Sequence, residues 1–160
     1  MVDLYNLARV LHIIAIVIWI GGVAMVTSVI LPAVRRLPST DSKVDLFEKI
    51  EGKFALQARL MTIITAITGF YMLYYIDGWE RYFDYRFWWL HAMTLVWFLF
   101  SMVLFVLEPF VLKRLFKEKM EENPEKTLLV MQRAHWILLT ISLVTIFGAV
   151  AGSHGWFIFN

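Results

Sequence analysis

The chain contains no cysteine, which removes disulfides, thiolate metal sites and iron–sulfur clusters from consideration. Charge is scarce too: Asp, Glu, Lys and Arg make up 18% of the 160 residues, against roughly 25% in soluble domains. No polar stretch is long enough to build a separate soluble domain. A cleavable leader is not expected either. The opening MVDLYN has no basic n-region, and the apolar run after it is too long for an h-region, so this segment should persist as a first helix.

What fills the chain is hydrophobic. Apolar residues make up 60% of it and gather in four blocks, about 7–31, 54–76, 87–112 and 134–152. Each is near the ~20 residues needed to cross the hydrocarbon of a bilayer. Lipid offers no partner to backbone N–H and C=O groups, so runs of this length must be helices. The expected fold is all-α: a single integral membrane four-helix bundle over residues 1–160.

Basic residues give the expected orientation. Arg35, Arg36, Lys43, Lys49, Lys53 and Arg59 lie in or beside the first connection. Lys113, Arg114, Lys117, Lys119, Lys126 and Arg133 flank the third, which leaves only Arg9, Arg81 and Arg86 for the other side. The positive-inside bias puts the long connections in the cytoplasm and both termini outside. Because these charges flank membrane segments and interleave with acids, the net charge of +2 does not point to nucleic acid.

Taken in order, the first block carries Ala8, His12, Ala15, Trp19 and Gly22 on one helical stripe. Small residues let transmembrane helices approach closely, so this face should be packed and His12 should point inward. Pro32 and Pro38 bracket its end. Val44, Phe47, Ile50 and Phe54 recur at helical spacing among charges, which predicts a cytoplasmic amphipathic helix over about 42–53 that lies on the membrane surface and runs into the second membrane helix with a possible bend at Gly52. Arg59 either snorkels to headgroups or pairs inside the bundle. Glu108, beside Pro109, is placed to meet Arg59 or His135, and reads as a structural ion pair rather than a proton relay. The aromatic-rich DGWERYFDYRFWW is an outer interfacial belt. Asn123 and Pro124 cap and open the fourth helix before it enters the bilayer. The chain closes on SHGWFIFN, an aromatic anchor that carries His154.

An ionisable side chain within a bilayer is costly and marks a functional site. At a rise of 1.5 Å per residue, His12 and His91 lie within about 5 Å of each other in depth, near the outer end, with His154 at the outer edge. His135, about 28 Å from His154, stands alone at the cytoplasmic face. Two histidines at one depth on two helices suit axial ligation of haem. Arg9, one turn nearer water than His12, and Arg86 are candidates for the propionates. Trp19, Met25, Met72 and Phe98 would supply apolar walls. The alternative is copper held by His12, His91 and His154 with Met72, since imidazole and thioether are suitable ligands.

The spacing from His12 to Trp19-Ile20-Gly21-Gly22, followed by LPAVRR at Leu31 to Arg36, resembles the first helix of CopD-type copper-resistance domains. The same His, Trp and Gly spacing is similar to that of HemJ-type protoporphyrinogen oxidases. So are ARLMTIITAITGFYMLY, with Arg59, Met61, Thr62 and Gly69, and LHA at Leu90 to Ala92. The resemblance covers about two thirds of the chain. The HemJ side implies a four-helix membrane protein with haem b ligated at His12 or His91; the CopD side implies copper uptake or resistance. The HemJ pattern continues LHA with lysine where this chain has Met93, and its YLPR is missing from the first helix. Both departures argue against the protoporphyrinogen reaction itself while leaving haem binding open.

The leading expectation is therefore a haem b protein of a bacterial inner membrane, in an electron-transfer or oxidoreductase role. Quinone or a periplasmic redox protein would be its partner, and a homo-oligomer is open. A copper-binding protein and a scaffold subunit without cofactor are the alternatives.

Overall fold

The computed structural model describes residues 3–157 and 159. Met1 and Val2 of the leading segment, and Ile158 and Asn160 of the closing aromatic anchor, lie outside the described residues. Four helices among the described residues are long and apolar enough to cross a membrane: α1 Leu4–Arg35, α2 Thr40–Tyr75, α3 Tyr85–Glu122 and α4 Pro124–Ser153. Each start has a side-chain cap, as the orphan N–H groups of a helix require. Asp3 accepts from the Tyr5 N–H, Ser39 from that of Ser42, Asp84 from that of Arg86 and Asn123 from that of Lys126. The α2–α3 connection turns on Asp77, in the left-handed region at φ 48°. Asn123 and Pro124 do open α4, as expected.

The helices form a ring. α1 and α2 share the largest interface, α3 and α4 the next, while α1–α4 and α2–α3 meet more lightly. Trp19 of α1 reaches across the centre to Phe100 of α3, edge to face at 4.9 Å. Small and hydroxylated residues sit inside: Ala15, Ala58, Thr62, Thr65, Ser142, Thr145 and Gly148 are all buried. Val17, Ile67, Phe98 and Val144 face outward. A water-soluble bundle has the reverse distribution; this one suits lipid, where close backbone approach replaces the hydrophobic drive. Inside, Thr62, Ser142 and Thr145 donate to the carbonyls of Ala58, Leu138 and Ile141 on their own helices, which satisfies these three hydroxyl protons.

At the end carrying the long connections, the bundle continues past the apolar spans. α2 has 36 residues, about 54 Å of helix, against ~30 Å of hydrocarbon. The amphipathic segment 42–53 runs into the membrane span, as expected, but without a break at Gly52 and without lying on the membrane surface. It is the first part of α2, and its apolar face meets protein. Phe47 joins Leu31, Val34, Met120 and Leu128 in a second buried cluster. Lys43, buried, pairs with Glu125 there, and Arg35 donates to the Gln132 side chain at 3.0 Å.

Two prolines reshape their helices in the same way. Around Val26–Ile30 and Met102–Leu112 the backbone widens to π geometry: Leu31 N–H bonds Val26 O, and Lys113 N–H bonds Glu108 O, each five residues back. In that register Pro32 and Pro109, which lack an N–H, leave the carbonyls of Thr27 and Leu104 without their helical donors. Each is recovered by a long polar side chain from a neighbouring helix. Gln132 Nε2 donates to Thr27 O at 3.3 Å, and Arg59 Nε to Leu104 O at 3.0 Å. A proline in a membrane helix is tolerated when a neighbour satisfies the freed group in this way.

Candidate functional site

His12 lies on α1 between buried Ala8 and Ala15, on the stripe that faces α2. Its Nδ1 is 3.0 Å from the Thr65 carbonyl and 3.0 Å from Thr68 Oγ1. The Thr68 hydroxyl donates to Ile64 O at 2.6 Å, so its oxygen is an acceptor toward the ring. Two acceptors at Nδ1 put the proton there, and leave Nε2 with its lone pair and no hydrogen bond among the described residues. This tautomer is the one that metal-ligating histidines adopt when a carbonyl holds the other ring nitrogen. Gly69 makes the geometry possible: a Cβ there would come within 3.1 Å of His12 Cε1. Met72 lies one turn beyond Thr68 on α2, half-buried.

His91 is a different case. It is exposed, and its Nε2 donates to the Tyr82 carbonyl at 2.8 Å, with the Tyr82 ring edge-on at 5.1 Å. The Tyr82 hydroxyl in turn meets Thr94 Oγ1 at 2.7 Å. The buried face of α3 carries Trp89, Val96, Phe100 and Leu104. His91 stands about 200° around the helix from Trp89. It lines an aromatic groove of about 390 Å³ with Tyr82, Phe83 and Trp88, and His12 takes no part in that groove. The two imidazoles are thus anchored to different elements, and the expected facing pair is not formed.

The remaining site candidates divide likewise. Trp19 is 3% exposed, and its indole N–H is buried with no acceptor. Arg9, exposed and one turn from His12, makes no ion pair among the described residues. The Arg86 guanidinium grips Asp84 with Nε and Nη2 at 2.9 and 2.6 Å, so its fork is already occupied. That grip holds the Asp84 carboxyl below the usual carboxylate range. His154 caps α4: its Nδ1 donates to Val150 O at 2.8 Å, while Gly155, at φ 82°, closes the helix end. His135 donates to Met131 O on its own helix at 2.9 Å. Among the described residues no three His, Asp or Glu side chains gather closely enough to hold a metal ion.

A second polar centre lies toward the basic end. Arg59 Nη2 and Glu108 Oε2 are 2.5 Å apart, and Lys113 Nζ is 3.3 Å from Glu108 Oε1. Glu108 is 4% exposed. Arg59 therefore pairs inside the bundle and does not snorkel, and His135 is not its partner. One guanidinium thus neutralises a buried carboxylate and fills the carbonyl vacancy left by Pro109. No residue pattern signals the carbonyl contact in advance. Tyr82, the other residue that sequence reasoning passed over, was hidden in an aromatic-rich loop where no periodicity singles it out.

Comparison with protein-family models, curated proteins and solved structures finds no match to this chain. The fold defines the class: a helical bundle with four candidate membrane spans, an inward histidine on α1 whose ring is held across the α1–α2 interface by Nδ1, and a buried Arg–Glu pair.

Proposed function

We propose that this protein is a haem b-binding redox protein of a bacterial inner membrane, multi-pass with both termini outside, in which His12 is the haem-ligating histidine. The observation that carries the reading is the Thr65 carbonyl on His12 Nδ1, which orients the ring and leaves Nε2 free to bind iron. Haem bound there would supply one-electron chemistry. The chain's own residues hold the imidazole rigid: Thr68 and Thr65 fix it from one side, and Gly69 lets α2 close against it. Arg9, exposed and unpaired, is the candidate for a propionate. Arg86 is not, because Asp84 already occupies it.

This reading differs from the two-histidine site in two respects: His91 is not a ligand, and Arg86 is not a propionate partner. The fit is therefore of one histidine. Protein purified in mild detergent should give a Soret band and a positive pyridine haemochrome assay. His12→Ala should lose both, while His91→Ala should keep them. A wild-type protein without haem, with stoichiometric copper by elemental analysis that is lost in His12→Ala, would move the assignment to the copper reading. Neither haem nor copper would leave a scaffold subunit.

A further inference from the structure

A groove of about 540 Å³ runs along the outside of the α1–α2 interface. It belongs neither to the His12 site nor to the Arg59–Glu108 pair. Gly21 and Gly22 lie along its floor; Gly22 is covered by the Phe54 ring, whereas a Cβ on Gly21 would meet nothing within 4 Å, and this bare position is what opens the groove. Met25 and Val26 of α1, and Phe54 of α2, are its apolar walls. At its polar end stand Lys49, Lys53 and Gln57, spaced four residues apart along one stripe of α2. Lys49 is held by Asp45 at 2.7 Å. Lys53 has no ion-pair partner among the described residues, and both it and Gln57 are exposed.

Position along the helix decides what such a groove takes. Counting about 20 residues back from Tyr75 puts the edge of the hydrocarbon near Ala55 and Leu56. Lys53 and Lys49 then lie at headgroup level, Met25 lies at that edge, and Gly21 and Ile18 lie among the acyl chains. An apolar channel in the hydrocarbon, ending at an unpaired ammonium at the phosphate plane, is complementary to one molecule class. We propose that this groove is a binding site for an anionic phospholipid. One acyl chain lies over Gly21 between Ile18 and Met25, beside the Phe54 ring, and the phosphate sits on Lys53 with Lys49 beside it. The Gln57 amide, one turn deeper, meets the ester carbonyls. Basic pockets between transmembrane helices recognise lipid headgroups by this combination.

The experiment is native mass spectrometry of the detergent-solubilised full chain, titrated with phosphatidylglycerol or phosphatidylcholine. Wild type should retain phosphatidylglycerol preferentially, and Lys53→Gln should lower that preference about fivefold. Gly21→Leu should abolish retention of both lipids. Its Cβ would meet nothing within 4 Å, so the new side chain fills the groove and leaves the helix contacts alone. Lys53→Gln changes an exposed residue and keeps the test decisive even if Gly21→Leu is poorly behaved. Equal retention of the two lipids by wild type, or unchanged preference in Lys53→Gln, would overturn the proposal. So would displacement by inorganic phosphate alone, or tight binding of a neutral quinone in its place.

Discussion

Arg59 has two jobs in this structure, and they can be separated by mutation. It neutralises Glu108, and it donates to the Leu104 carbonyl that Pro109 deprives of a partner. Replacing it with methionine keeps much of the side-chain volume but removes both interactions. Breaking a buried ion pair from one side costs about 3–5 kcal/mol, and Lys113, still 3.3 Å from Glu108, holds this case to the lower end. The unpaired carbonyl accounts for about 1–3 kcal/mol of the total. Pro109→Ala returns an N–H to position 109, and Leu104 O then has a helical donor of its own. In the Pro109→Ala background, Arg59→Met should therefore cost about 1–3 kcal/mol less than in wild type. The assay is equilibrium unfolding of the detergent-solubilised protein by SDS titration, followed by far-UV circular dichroism over the four-variant cycle. Additivity within about 0.5 kcal/mol would refute the link between the proline and the arginine.

Other expectations follow from the same contacts. Gly148→Ala would drive a Cβ into the Trp88 ring and should destabilise by about 1–3 kcal/mol, whereas Gly21→Ala meets open space and should be neutral or stabilising by up to about 1 kcal/mol in the same unfolding assay. Asp77→Gly should stabilise the α2–α3 turn by about 1 kcal/mol, because glycine enters the left-handed region without a Cβ penalty. The depressed Asp84 carboxyl favours the folded state fully above the ordinary aspartate value near ~3.9. Its contribution is complete from pH 7 to 5 and is lost only as pH falls below that value, so the stability difference between wild type and Arg86→Gln should stay constant from pH 7 to 5 and shrink below about pH 4. A difference that varied between pH 7 and 5, or that failed to shrink in acid, would contradict the pair.

The membrane class and the heights of the polar groups could be read from the sequence, because run length and rise per residue fix both. Azimuth was legible only where a helix has a marked face. His12 lies on a stripe with Ala8 and Ala15, so small residues announced its inward direction. His91 sits in WWLHAMTLVWFLF, apolar on every side, where nothing distinguishes the buried face of Trp89 and Val96 from the one that carries the histidine. The Arg59–Glu108 pair was visible as a possibility from matching depth, but headgroup snorkelling of Arg59 and a contact with His135 stood beside it until hydrogen bonds chose. The periodicity of 42–53 was real and its partner was misread: Phe47 packs on Phe116 and Met120, which a surface helix would not meet. Pro32 and Pro109 read as helix ends or kinks. The five-residue register that makes them acceptor sites depends on backbone bonds that no residue type specifies.

The central claim is that His12, through its free Nε2, binds haem without His91. Reduced-minus-oxidised absorption spectra of purified wild type, His12→Ala and His91→Ala test it most directly. The account predicts a haem b spectrum in wild type and His91→Ala and none in His12→Ala; a colourless wild type, or a spectrum that survives the loss of His12, would contradict it.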